Sequence, residues 1–541
     1  MNRIQGAVWR RAAPLAAVAL LGLLVCSATA SAAGWLQQAP AGTPGQASLF
    51  PSVAADRTGA MPVAWWSYDI STGAGDAFVQ RYAADGTQLP AHPVSPVGSA
   101  TAPLVVTAPG GVTVAGALAG AGEAPGQIAL AWIGADGAIS ARQTVALDGE
   151  PTSGGDGSLP TPGLALAVAD DGTATVAWVV VDDDGGSTVK LRRVGPSGPL
   201  APALSFHDDS DAPTPTLAAA PDGTVFAAWA PSEDDGDVAV VRLASDGTVD
   251  AGPTALPGGA NTQIALDAGA EGAALAWSSF AGDGSALRVA RLLPTGAVAA
   301  PATTVVDHLQ GSVALPDVLA SRTGTITVTW AQMTMSDDED APSGAARWFA
   351  RVSGDGAVAA RPLDADGQVS SPLLGAAPLG RAADGSELVA YGRVGLTAEI
   401  AWRAVAEDGA LSAAEPLAAA QLGAVLQGGF AISPGGGALA WINGALAPPN
   451  ELPTIAAAIY DAIPPTLQAS ILATAQVGDD VPLSAVAGDR DAVALHWEFG
   501  DGSESRAATV HQAFARPGSY VVQVTATDSP ATSRSAARPS R

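Results

Sequence analysis

The sequence has 1 Cys and 5 His in 541 residues. A disulfide framework and a Cys/His zinc cluster are therefore excluded. Positive charge is scarce too, with 25 Lys+Arg against 52 Asp+Glu and a net charge of −27. That balance argues against a nucleic-acid backbone or an anionic membrane surface as partner. Charged residues of both signs make up only 14%, whereas 48% are hydrophobic. Such a chain can bury a sizeable core and is not a solvated disordered polymer. Gly 63 and Pro 41 make it rich in turns. Catalytic signatures are missing as well: there is no Gly-x-Ser-x-Gly, no His-Glu-x-x-His and no phosphate loop. The histidines, His92, His207, His308, His496 and His511, are scattered. A paired-carboxylate hydrolase stays open, because acids are plentiful and such a pair need not be close in sequence.

Residues 1–32 read as a secretory signal peptide. Arg3, Arg10 and Arg11 give a positive start without an acid, and Leu15 to Cys26 is a short apolar run. Ala28-Thr29-Ala30 and Ala30-Ser31-Ala32 offer small-residue cleavage sites. Val25 before Cys26 departs from a lipoprotein signal, and Ala13 and Pro14 after Arg10-Arg11 depart from a twin-arginine one. No later segment is long and apolar enough for a membrane helix.

Residues 34–463 carry a repeat. One unit, residues 214–252, reads as strand, Asp-Gly turn, strand ending in Ala-Trp, acidic loop, strand carrying Arg, Asp-Gly turn, strand. Asp-Gly between apolar runs is a strong hairpin signal. The second turn recurs at Asp85-Gly86, Asp136-Gly137, Ser197-Gly198, Asp246-Gly247, Thr295-Gly296, Asp355-Gly356 and Asp408-Gly409, and Asp461 ends a further copy without its glycine. An aromatic ends the second strand at Trp65, Trp178, Trp229, Trp277, Trp330, Tyr391 and Trp441, with Gly116 in its place in the second copy. Insertions are visible at 149–160, within the longest spacing, and at 361–374. Four short strands per unit, repeated about eight times, predict an all-β chain with a β-propeller. Eight blades, seven with one divergent copy, and two stacked smaller sheets are all compatible with this pattern. The resemblance is to bacterial secreted propellers in general and implies fold, not function. The last copy stops after its third strand, Ile455 to Tyr460, so Gly34 to Ala39 is expected to supply the fourth and close the ring.

The repeated Trp is expected to pack between neighbouring sheets. Trp35, Trp66 and Trp348 lie off the repeat position and are the candidates for stacking on a ligand. Arg81, Arg193, Arg242, Arg291 and Arg351 each sit four residues before a turn landmark. They lie on third strands, away from the channel, and read as structural: each pairs with a carboxylate and packs its stem.

After Pro464-Pro465 the character changes. Val477-Gly478-Asp479-Asp480-Val481 leads to Leu495-His496-Trp497-Glu498-Phe499-Gly500-Asp501-Gly502, then to Pro517-Gly518-Ser519-Tyr520 and Val521 to Asp528. Residues 465–528 resemble a PKD domain, a small immunoglobulin-like β-sandwich. The resemblance implies a non-catalytic spacer or binding module of secreted proteins. Alternation in Tyr520 to Thr527 is that of a half-buried strand, with Trp497 and Phe499 facing one core. The family's last strand has no good counterpart here: 529–541 read as a disordered tail, which leaves the module marginal or completed by another chain.

Acids gather in loops expected at one end of the propeller. Asp182 and Asp184, Asp234 and Asp237, and Asp338 and Asp340 fall between second and third strands, and Asp208 and Asp211 fall between the third and fourth copies. They are candidate calcium ligands, since Ca²⁺ takes six to eight oxygens. No loop has EF-hand spacing, and solvated acidic loops are the plain alternative. No catalytic residue and no other cofactor is indicated. The expected role is that of a secreted, non-enzymatic binding protein acting at or outside the cell envelope. Its partner would be a glycan or an extracellular protein. The alternatives are a glycan-active hydrolase or lyase with an accessory PKD domain, and a structural envelope component.

Overall fold

The computed structural model describes residues 27–31, 35–37 and 41–528, apart from loop stretches of which the longest are 148–163, 335–343, 364–378, 421–427 and 444–451. The described elements are all strands. Among the described residues no helix is long and apolar enough to cross a membrane. Two compact units emerge: Gln38–Ile459, and Met1–Gln37 with Tyr460–Arg541.

The first unit is a β-propeller whose blades follow the chain. Blade 4 is typical, with Thr214–Ala219, Val225–Ala230, Val238–Leu243 and Val249–Leu256 in that order across one antiparallel sheet. Among the described residues seven further sheets repeat this order, which makes eight blades there and removes the seven-blade alternative. Blade 3 departs slightly: its third strand, Ser187–Gly195, pairs with both Gly198–Pro199 and Leu204–Asp208. The insertions at 149–160 and 361–374 lie largely outside the described residues.

The repeat landmarks have clear physical roles. After the third strand the chain makes a type I turn followed by a left-handed residue, the common three-residue hairpin. Gly86, Gly137, Gly247, Gly296, Gly356 and Gly409 take that position at φ between 78° and 88°. Only glycine adopts it without steric cost. The repeated aromatics Trp65, Trp178, Trp229, Trp277, Trp330, Tyr391 and Trp441 are all buried. They sit in apolar clusters shared by successive blades, such as Ala177, Leu191, Val225 and Trp229 between blades 3 and 4. At Gly116 a side chain would meet Leu130 and Leu166, and Trp132 from the neighbouring strand fills the layer instead.

The ring closes as the phase of the repeat predicts. The eighth sheet orders Gly428–Ser433, Gly436–Asn443, Thr454–Asp461 and Trp35–Gln37 from inside out. Ala41 and Ile455 exchange both backbone hydrogen bonds, at 2.8 and 2.9 Å. Ile442, Ile455, Ala457 and Ile459 then pack on Leu49, Val63 and Trp65 of blade 1.

The second unit is a sandwich. One sheet orders Thr466–Ile471, Val481–Gly488 and Thr509–Gln512; the other contains Val493–Glu498 against Gln523–Asp528. Its core holds Val481, Leu483, Trp497, Phe499, Phe514, Val522 and Val524. Trp497 and Phe499 lie on one side, as their period-2 spacing requires, with ring centroids 6.1 Å apart. In Gly500-Asp501-Gly502 both glycines have positive φ, and a Cβ on Gly500 would collide with the Val521 carbonyl. The Asp501 carboxylate pins this turn by accepting from Ser503 N at 2.9 Å and Gln512 Nε2 at 2.8 Å. On the far side of Gln523–Asp528, Ser27–Ser31 adds in parallel, with Ser27 opposite Gln523 and Ser31 opposite Thr527. That segment lies inside the expected leader, so leader removal would uncover this edge.

Candidate functional site

The innermost strand of each blade has an edge with no sheet partner, and its backbone N–H groups need acceptors. Blades 5 and 6 solve this with carboxylates. Asp267, on Ala260–Gly269, accepts the Ala320 N–H of blade 6 at 2.9 Å. Asp317, on Gly311–Ala320, accepts the Leu379 N–H of blade 7 at 2.8 Å. Burial pushes the Asp267 carboxyl up to about 6, against the pull of its backbone hydrogen bonds and of Arg381. Burial, reinforced by the neighbouring Asp267 charge, pushes Asp317 up to about 7. Both residues are only half-buried by surface. Their carboxylates nevertheless lie deep among protein atoms, so desolvation outweighs the hydrogen bonds.

Arg381, at the end of the innermost strand of blade 7, closes the group. Its two terminal nitrogens donate to the Ala320 carbonyl at 3.2 Å each, and Nη2 also donates to Glu387 Oε1 at 3.1 Å. Glu387 is buried and accepts further from Arg351 Nη2 and Thr327 Oγ1, both at 2.7 Å. Beside this network, at the end carrying the turns between first and second strands, is a cavity of about 430 Å³. Asp267, Glu271, Arg291 and Arg381 line it, together with glycine and alanine backbone such as Gly269, Gly272 and Gly324.

The repeated arginines largely behave as expected. Arg81 pairs with Asp56, both buried. Arg242 pairs with Asp250, and Arg351 with Glu387. Arg193 donates to the Ser245 carbonyl rather than to a carboxylate. The stems of Arg193, Arg242 and Arg351 pass against Gly247, Gly296 and Gly409 of the following blade. Arg291 breaks the pattern. It does not reach Gly356, the equivalent glycine; its guanidinium lies against Gly324 and borders the cavity.

Of the candidate calcium ligands, Asp182, Asp184, Asp211, Asp234, Asp338 and Asp340 lie outside the described residues. Asp237 is exposed just before the third strand of blade 4. Asp208 ends the outer strand of blade 3, where its Oδ2 accepts the Trp229 indole N–H at 2.9 Å. Trp66 and Trp348 are half-buried within aromatic groups. Trp66 stacks on Tyr68 at 5.0 Å and covers Gly75, while Trp348 stacks on Trp330 at 6.1 Å. The side chain of Trp35 lies outside the described residues. Among the described residues, His496, Glu498 and Glu504 of the sandwich form the one His/acid group close enough for a shared ion, and both acids are exposed.

Sequence reasoning passed over Asp267, Asp317 and Arg381. The signal was an acid inside otherwise apolar innermost strands, Ile264-Ala265-Leu266-Asp267 and Pro316-Asp317-Val318.

No curated protein matches the chain. Among solved structures, a protein of unknown function from Dyadobacter fermentans DSM 18053 is 11% identical, with 79% of this chain and 98% of that chain covered and a TM-score of 0.37. Polysaccharide lyase Uly1 is 11% identical over 80% of this chain and 100% of that chain, with a TM-score of 0.41. The β-propeller domain of the Trilobed protease from Pyrococcus furiosus is 9% identical over 69% and 96%, with a TM-score of 0.36. These likenesses concern fold alone, which the sheet order above already establishes. The PKD family model matches residues 462–539, reaching past Asp528 into the segment read as a tail. The chain therefore carries a PKD domain behind an eight-bladed β-propeller.

Proposed function

We propose that the protein is exported and binds a glycan or an extracellular protein through its propeller, without catalysis. The observation that supports this reading is the cavity shared by blades 4 to 7. It offers guanidinium donors from Arg291 and Arg381 and carboxylate acceptors from Asp267 and Glu271, within a few hundred Å³ of small-residue backbone. Concave sites of that size with a few convergent polar groups suit small-molecule recognition. Mixed donors and acceptors suit the hydroxyl pattern of a sugar. Asp267 and Asp317 are already engaged as acceptors between blades.

The test is a glycan array probed with the chain from residue 33 onward, followed by calorimetry and product analysis on any hit. Saturable binding without turnover is the expected result. Release of new sugar ends would overturn it in favour of a second reading, a glycan-active hydrolase or lyase. One observation favours that second reading: Asp267 and Asp317 are neighbouring carboxyls held at about 6 and about 7, the kind of pair that divides acid and base roles near neutrality. N-terminal sequencing of exported protein tests the leader, with a start near residue 33 expected.

A further inference from the structure

Five arginines occupy one repeat position, and four of them have a fixed partner in the protein. Arg81, Arg242 and Arg351 meet carboxylates, and Arg193 meets a backbone carbonyl. Arg291 has neither among the described residues. Its guanidinium lies instead against Gly324 of the next blade, at φ 80°, where any Cβ would strike it. The same guanidinium borders the cavity of about 430 Å³. A second guanidinium borders the same space. Arg381 spends three N–H groups on the Ala320 carbonyl and Glu387, leaving two of its five donors. A half-buried arginine without a counter-charge is costly to keep, and a planar carboxylate is the group its fork fits.

We propose that Arg291 and Arg381 hold the carboxylate of an acidic sugar in this cavity. The inference rests on the glycan reading above and narrows it to one ligand class. Arg291 supplies the missing ion pair, and Arg381, held in place by Glu387, supplies the second contact. Glu271 accepts ring hydroxyls.

The site carries a built-in dependence on pH. Asp267 is faced by Asp317 from blade 6, by Arg381 from blade 7 with Glu387 behind it, and by Arg291 and Glu271 of its own blade; the lining from blade 4 is Pro221, which does not titrate. Ionised Asp267 repels a ligand carboxylate, whereas protonated Asp267 donates to it. Affinity is therefore expected to weaken by about tenfold as pH rises from 5 to 8, the scale of one like charge nearby in a partly screened site.

The experiment is calorimetric titration of the chain from residue 33 onward at pH 5 and pH 8. The probes are glucuronate and galacturonate, with glucose and galactose as neutral counterparts and acetate as the bare carboxylate. Uronate binding that is tighter at pH 5, weakened at least tenfold in Arg291→Ala and made insensitive to pH in Asp267→Asn, is the expected result. Thermal melts of both variants show whether each is folded, and Arg291→Lys, which keeps the charge without the fork, is expected to recover only part of the affinity. Equal binding of neutral sugars and uronates would overturn the inference and leave the glycan reading standing. Acetate binding as tightly as uronate would overturn the sugar. Binding unchanged in folded Arg291→Ala, or no binding of any probe, would overturn the site. The glycan array then judges the wider reading on its own.

Discussion

Blades 5 and 6 use the same arginine in opposite ways. In blade 6, Arg351 is locked to a buried Glu387 that also serves Thr327 and Arg381, so its charge has a partner inside the protein. In blade 5, Arg291 keeps the repeat position but borders a cavity instead. A repeat turns an arginine into scaffold by giving it an acid; where the acid is withheld, the same residue becomes available to a ligand. Function in such an array is best sought where one copy departs from its neighbours.

The comparison is open to direct attack. Glu387→Ala leaves two arginines without their shared acid and is expected to cost about 3–5 kcal/mol, read as a drop in denaturant midpoint. A loss below about 1 kcal/mol would mean that the blade 6 network is not structural. Acidity probes the innermost strands next. Asp267 and Asp317 have folded pKa values raised above the usual carboxylate value, so the folded state holds their protons more tightly than the unfolded one. Their contribution is full near pH 4 and is lost as pH rises through about 6 and about 7. Thermal midpoints are expected to fall between pH 5 and pH 8, and Asp317→Asn to flatten that slope. An unchanged slope in the variant would assign the pH response elsewhere. Trp348→Ala removes a half-buried ring stacked on Trp330 and is expected to cost about 1–2 kcal/mol without changing glycan affinity. A selective loss of binding would restore Trp348 as a ligand platform. The smallest change in stability belongs to Arg291→Ala, within about 0.5 kcal/mol. A large destabilisation there would place Arg291 with its structural relatives and erase the contrast between the two blades.

Much of the fold was legible because it rests on local chemistry repeated many times. Each turn glycine answers a backbone demand within five residues, and each buried tryptophan marks the same layer, so two signals in step reveal the repeat while leaving seven or eight blades open. Trp497 and Phe499 reveal their sandwich face by alternation alone. The cavity was not legible, because its residues come from four blades. Asp267, Asp317 and Arg381 stand more than forty residues apart, and only the ring brings them side by side. Arg291 holds the same repeat position as its four relatives; what distinguishes it is the cavity its guanidinium borders, which forms only after folding. The acidic loops show the converse. They are conspicuous in sequence, but runs of Asp do not fix a coordination geometry.

The joint between Ala41 and Ile455 also sets an order of events. These residues are more than 400 positions apart, yet each supplies the other's backbone hydrogen bonds. Within each blade, pairing is local and quick, while this last contact must wait for nearly the whole propeller to be made. Until then, the growing arc has an exposed strand edge at each end, open to pairing with another molecule. The ring is thus slow to finish and vulnerable while unfinished. A substitution at the joint is therefore expected to show itself first in refolding yield and aggregation, before any change in the folded protein.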